Sequence, residues 1–177
     1  MGDKFYTYDR FDDKRVKEIF TGWDGLSGYH GLQVAKCASL LMGNSVLDVG
    51  CGICHLYEML KLNNYTGSYT GTDIEPRVLK LARERYPQLG ILEKSVYDLS
   101  GLGMYDTVFA IGLYDDPPVS KKSMEEMMNH TNNAIVITYR TDTPNIIPSS
   151  LIDFGWKNET YPHDIDSRLI IMRRLRI

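Results

Sequence analysis

Three cysteines, Cys37, Cys51 and Cys54, are too few and odd in number for a disulfide framework, so a reducing cytoplasm is the expected setting. No apolar run approaches the roughly 20 residues needed to cross a bilayer, which argues against a membrane partner. The opening residues, Met1 to Tyr8, hold neither an apolar stretch nor a small-residue cleavage site, so no secretory signal is expected. Tyr6 stands where a myristoylation site needs Ser or Thr. Basic charge is not in excess either: 20 Lys and Arg against 23 Asp and Glu give a net charge of -3, which offers no general attraction to nucleic acid or anionic lipid. Internal repeats, low-complexity tracts and an interdomain linker are all lacking. What is there, 177 residues at 43% hydrophobic and 24% charged, suits one globular domain with a sizeable core.

Two signals overlap between Val46 and His55. Cys51-Gly52-Ile53-Cys54-His55 matches the Cys-x-x-Cys-His attachment signature of c-type haem. Val46-Leu47-Asp48-Val49-Gly50-Cys51-Gly52 reads instead as a buried parallel strand running into a tight Gly-x-Gly turn that a phosphate or ribose can approach. Haem attachment to cysteine belongs to exported proteins, and the short match lies inside the longer pattern. The second reading is therefore preferred: Cys51 is the spacer between two glycines and His55 begins the next helix.

Periodicity then orders the chain. Asp12 or Asp13 is placed to cap a helix through Val16, Ile19 and Phe20 that stops near Gly22, and a second helix is expected from about Gly31 to Leu41. From Val46 onward strands and helices alternate. Strands are expected at Val46 to Val49, Ser68 to Ile74, Gly90 to Val96, Tyr105 to Ile111 and Ala134 to Thr138, with helices at His55 to Leu62, Pro76 to Tyr86 and Ser120 to His130. Thr141 to Ser150 reads as a loop followed by a short helix ending at Gly155. Two last strands, Lys157 to Tyr161 and Leu169 to Leu175, should pair as an antiparallel hairpin across the Pro162 to Ser167 turn. The expected fold is α/β, a Rossmann-like, doubly wound, mostly parallel sheet with a C-terminal antiparallel hairpin. An N-terminal helical cap segment, residues 1–43, would precede a core of residues 44–177. Arg168, Arg173, Arg174 and Arg176 read as a solvated edge strand that discourages further pairing.

The Val46 to Gly52 stretch resembles the first motif of class I S-adenosylmethionine-dependent methyltransferases of the small-molecule type, whose sheet ends in such a hairpin. A dehydrogenase turn is the nearest competitor, but it needs a third glycine where this chain has His55. The resemblance implies that S-adenosyl-L-methionine is the cofactor, that Gly50, Cys51 and Gly52 let the backbone pass beneath it, and that Asp48 orients its ammonium group. It also implies an acid at the end of the next strand to accept the ribose hydroxyls. Thr70-Gly71-Thr72-Asp73-Ile74-Glu75-Pro76 supplies Asp73, about 20 residues past the glycines, with Ile74 beside it. Glu75 is better explained as the acid before a helix begun by Pro76.

Where the family often has an acid after the third strand, this chain aligns Ser95 and Val96, whose hydroxyl and backbone would serve the adenine; Asp98 is the alternative, and otherwise a turn residue. Cys54 fills a position where the motif commonly has a third small residue. Ligands of open α/β sheets lie beyond the carboxyl ends of the strands, which points to Gly112-Leu113-Tyr114-Asp115-Asp116, then Tyr139 and Arg140, then His163 and Asp164. Asp115 and Asp116 are candidate bases, and equally candidates for capping the turn before Pro117; Arg140 is a candidate for an anionic group on the acceptor. Asp116-Pro117-Pro118 does not match the Asp-Pro-Pro-Tyr motif of amino-methylating DNA enzymes, because Val119 replaces the stacking aromatic. Among the aromatics of the cap, Tyr29 is the preferred cofactor contact and its neighbour His30 a candidate base.

The expected activity is direct methyl transfer to a small molecule, with no metal and no nucleic acid; protein or RNA methylation, or a cofactor-binding subunit without catalysis, are the alternatives.

Overall fold

The computed structural model describes residues 11–22, 29–114, 121–140, 156–162 and 167–174. Their order is α1 (Asp13–Gly22), α2 (Tyr29–Ala38), β1 (Ser45–Val49), α3 (His55–Leu62), β2 (Ser68–Asp73), α4 (Pro76–Arg85), β3 (Gly90–Glu93), β4 (Tyr105–Tyr114), α5 (Lys121–Asn129), β5 (Thr131–Arg140), β6 (Trp156–Pro162) and β7 (Ser167–Arg174). The expected helix ending at Gly155 lies outside the described residues.

The strands form one sheet in the order β3-β2-β1-β4-β5-β7-β6. Pairing is parallel from β3 to β5, while β7 runs antiparallel to both β5 and β6. The chain reverses direction in the sequence after β1, passing first towards β3 and then back across to β4, so a crevice opens at the carboxyl end of β1. That is where an open α/β sheet binds its ligand.

β1 is buried on both faces, as a central parallel strand must be, with Val46, Leu47, Asp48 and Val49 all at 3% exposure or less. On one face Val46, Tyr69, Ile91 and Phe109 meet Val34, Cys37, Leu56, Leu60, Leu79 and Ala82 from α2, α3 and α4. On the other, Leu47, Val49, Val108 and Ile135 meet Met124, Met127 and Met128 of α5, together with Val96 and Leu99 after β3. α1 adds a small third cluster in which Val16 and Phe20 pack on Ile53 and Val78.

Local chemistry explains the helix starts. Asp12 caps α1, its Oδ1 accepting the Arg15 N–H at 2.7 Å. α4 begins with Pro76 behind an N-cap Glu75 whose carboxylate accepts the Arg77 N–H.

Three expectations need correction. β3 stops at Glu93 rather than Val96, because Lys94 donates its N–H to the Asp73 carbonyl and the chain then turns through Ser95 to Asp98. β4 and β5 are longer than expected, reaching Tyr114 and Arg140. The basic strand is not an edge: β7 is inserted between β5 and β6, where Arg173 pairs with Glu159 of β6 and donates to the Met42 sulfur, and β6 takes the edge instead.

Candidate functional site

At the end of β1 the Gly50 and Cys51 N–H groups both donate to the Thr72 carbonyl, at 2.8 and 2.9 Å, which straps the turn to β2. Gly50 has φ +72°, and a Cβ there would lie 2.8 Å from the Leu113 side chain near the end of β4. Both the backbone conformation and the space therefore demand glycine. Gly52 lies beneath Phe20 of α1, whose ring would stand 3.3 Å from an added Cβ. The turn is thus walled by Leu113 on one side and Phe20 on the other.

Two buried carboxylates lie at the ends of the strands beside this turn. Asp73 ends β2, its Oδ2 accepting the Gly52 N–H and its Oδ1 the Glu75 N–H, both at 3.0 Å. A carboxylate has about four acceptor positions, so these bonds do not exhaust its capacity to accept. Burial, opposed by those backbone donors, still raises its pKa. Asp48, on β1, is 3% exposed and accepts the Tyr69 hydroxyl at 2.5 Å. Burial is the main cause that pushes its pKa up to about 7, with the Asp73 charge adding to it and the Tyr69 bond opposing it. Two acids made uncomfortable by burial, at the ends of neighbouring strands, form a site that gains from a cationic ligand.

The Cys51, Cys54 and His55 side chains are buried at 7%, 0% and 6% exposure, so the apparent haem signature is packed into the turn and the start of α3. Cys54 sits at φ +66° immediately before α3, a left-handed position that strains any residue with a Cβ, and it is fully buried, which leaves room only for a small side chain. Both cysteines are free, and hydrogen bonding with the Cys54 thiol together with burial holds the Cys51 thiol well above the usual range. Among the described residues, no group of three or more His, Cys, Asp or Glu could hold a metal ion.

The remaining expected positions fall as follows. Ile74, beside Asp73, is 40% exposed, a large apolar side chain left at the crevice. Ser95 and Val96 occupy the turn after β3, where the Ser95 Oγ accepts the Tyr97 N–H at 3.2 Å and Val96 is 9% exposed. Asp98 is held below its ordinary pKa chiefly by Ser100, whose N–H its Oδ1 accepts at 3.1 Å, so it behaves as a turn residue. Glu75 grips Arg77 through both carboxylate oxygens, which lowers its pKa. Gly112 lies where Ala110 pairs with Ile137 but Tyr114 pairs with Tyr139, so four steps of β4 match two of β5. The Gly112 N–H is caught by the Thr138 hydroxyl at 2.7 Å, which fixes this irregularity beside the Gly50 turn. Tyr29 and His30 open α2, but their side chains lie outside the described residues, as do those of Tyr139 and Arg140; Asp115, Asp116, His163 and Asp164 lie outside them entirely.

Sequence reasoning missed Tyr69, Thr138, Phe20 and Arg77 as parts of this site. No local signal marks Tyr69, because its reach to Asp48 depends on the β1–β2 register, in which Gly71 lies directly opposite Asp48.

A family profile described as "Methyltransferase domain" matches residues 47–135, half of the chain. No curated protein matches the sequence. Among solved structures, the fold is similar to magnesium protoporphyrin IX methyltransferase from Synechocystis with bound S-adenosylmethionine, at 18% identity and a TM-score of 0.67 over 95% of this chain and 100% of that one. It is similar to a TehB-like S-adenosylmethionine-dependent methyltransferase from Corynebacterium glutamicum, at 13% identity and a TM-score of 0.69 over 92% and 100%. The N-methyltransferase NodS from Bradyrhizobium japonicum, in complex with S-adenosyl-L-homocysteine, aligns at 13% identity and a TM-score of 0.67 over 92% and 98%. At these identities the likeness is one of fold.

Proposed function

This chain belongs to the class I S-adenosylmethionine-dependent methyltransferases, enzymes whose cofactor is S-adenosylmethionine, and from that premise we propose that it methylates a small-molecule acceptor by direct displacement. The observation that carries the cofactor's place is the Gly50 to Gly52 turn at the carboxyl end of β1 with the Asp73 carboxylate bonded to it, at the point where the strand order reverses.

The cofactor supplies an electrophilic methyl group on a sulfonium. The chain's own residues do the rest. Asp73 accepts the two ribose hydroxyls, and Asp48 holds negative charge near the ammonium group, steadied by Tyr69. Gly50, Cys51 and Gly52 form the floor. Ile74 and the backbone of Val96 would serve the adenine and the Ser95 hydroxyl its amino group, while Gly112 and Tyr29 would contact the methionine portion. Asp115, Asp116 and His30 are the groups proposed to take a proton from a neutral acceptor, a role that matters less if the acceptor is a thiolate or amine. Residues 1–43 serve as the cap segment and residues 44–177 as the catalytic core.

The small-molecule acceptor is supported by the names of two fold neighbours, a porphyrin methyltransferase and the N-methyltransferase NodS. The net charge of -3 supports it too, since methylation of RNA favours a basic surface. No helix of the described residues is long and apolar enough to cross a membrane. A cytoplasmic setting is supported by three buried, free cysteines. Incubation with radiolabelled S-adenosylmethionine and either a metabolite extract or a macromolecular extract tests the acceptor class. Label is expected in the small-molecule fraction; label confined to protein or RNA would overturn the proposal.

A further inference from the structure

Arg77, in the first turn of α4, joins three separate parts of the chain. Its Nη1 donates to the Phe11 carbonyl at 2.7 Å and lies 3.7 Å from Asp13 Oδ1, both at the start of α1. Its Nε and Nη2 donate to the two oxygens of Glu75 at 2.7 and 3.0 Å. The Glu75 N–H in turn donates to Asp73, and Asp73 accepts the Gly52 N–H. At the other end of α1, Phe20 lies against Gly52 and packs with Val16, Ile53 and Val78. α1 therefore crosses the cofactor turn with an apolar anchor near its C-terminus and a charged anchor at its N-terminus.

The charged anchor has the form that makes such contacts effective. Glu75 is 9% exposed and the Arg77 side chain 29%, so the pair is shielded from solvent more than an ordinary surface bridge. The planar guanidinium reaches a carboxylate and a carbonyl at once, which a lysine ammonium on its flexible stem does not reproduce.

We propose that Arg77 is a positioning residue for the cofactor: it holds α1 across the Gly50 to Gly52 turn and thereby slows cofactor release, without touching the cofactor. This rests on the cofactor lying at that turn. A different role for the same contacts would be local, with Arg77 neutralising Glu75 and so steadying Asp73. The two roles differ in what α1 does when Arg77 is lost. If Arg77 works through α1, its removal loosens α1 and matters little once Phe20 has gone. If it works locally, removing the Glu75 charge as well restores binding.

The test uses the full chain. S-adenosylmethionine affinity and dissociation rate are measured for the wild type, Arg77→Lys, Arg77→Met, Glu75→Gln with Arg77→Met, Phe20→Ala, and Phe20→Ala with Arg77→Met, alongside hydrogen exchange of residues 13–22. Both single Arg77 variants are expected to bind about tenfold more weakly, the size of one lost charge-assisted hydrogen bond, with the change in the dissociation rate. Exchange should rise in α1 and stay unchanged in β1 and β2. Glu75→Gln should not restore binding, and Arg77→Met should add less than about twofold to Phe20→Ala. Restoration by Glu75→Gln, full additivity with Phe20→Ala, or unaltered α1 exchange would each overturn the proposal. If Phe20→Ala does not fold, the α1 exchange of Arg77→Lys decides. Wild-type protein that fails to bind S-adenosylmethionine would overturn the cofactor placement itself, whereas equal binding by wild type and Arg77→Met would overturn the Arg77 role alone.

Discussion

Asp48→Asn should stabilise the unliganded protein in alkaline buffer while weakening its hold on S-adenosylmethionine. Asp48 is 3% exposed, and its pKa rises from 3.8 to about 7, mainly through burial. Below pH 3.8 the carboxyl is protonated in both folded and unfolded chains and costs nothing. As pH rises towards 7 the unfolded chain releases this proton and the folded chain keeps it, so stability falls across that window and is constant above it. A change of about three powers of ten in proton affinity, at about 1.4 kcal/mol each, amounts to about 4 kcal/mol. An asparagine keeps the shape and can still accept the Tyr69 hydroxyl bond, though more weakly without the charge. At pH 8 the variant should therefore melt roughly 5–10 °C higher than wild type, allowing about 2–4 °C for each kcal/mol in a chain of this size and some loss from the weaker bond. At pH 4 the difference should nearly vanish. Calorimetric titration at pH 8 should show affinity for S-adenosylmethionine at least about tenfold lower, since a charged partner of the ammonium has gone. Melting that differs equally at pH 4 and pH 8 would refute the burial argument, and undiminished affinity would refute the assignment of Asp48 to the ammonium.

Two other substitutions test the walls of the site. Gly50→Ala should cost about 1–2 kcal/mol from its positive φ alone and more from the contact with Leu113; adding Leu113→Ala should recover the contact part and leave the rest, as read by chemical denaturation. Thr138→Val leaves the Gly112 N–H without its acceptor and should lose about 1–3 kcal/mol along with cofactor affinity, while Thr138→Ser should recover most of both. A Thr138→Val protein indistinguishable from wild type would show that the hydroxyl does not fix Gly112.

The parts of this fold that could be read from sequence are those in which the information is local. Val46 to Gly52 and Thr70 to Pro76 announce a strand, a turn and a helix start within a few residues, and the structure places Asp73 beside Gly52 as that spacing implies. The C-terminal hairpin was also legible, because its turn chemistry is local. Its place in the sheet was not: four arginines suggest an edge, yet β7 lies inside and β6 is the edge. Position in a sheet depends on which distant strand accepts the partner, and charge on a strand can be met by a neighbour, as Glu159 meets Arg173. The same reason hid the Tyr69 to Asp48 bond, the Thr138 to Gly112 bond and the reach of Arg77 to Phe11, each joining residues about 20 or more positions apart. The β4 irregularity at Gly112 also escaped, since a glycine in an apolar run marks a bulge only when the partner strand is known.

The placement of the cofactor is tested most directly by calorimetric titration of S-adenosylmethionine into wild-type protein and into Asp73→Ala. The account predicts saturable one-to-one binding by the wild type and its loss in the variant, which melts lower because two backbone N–H groups lose their acceptor but is still folded at the titration temperature by circular dichroism. Equal affinity in the two proteins would contradict it.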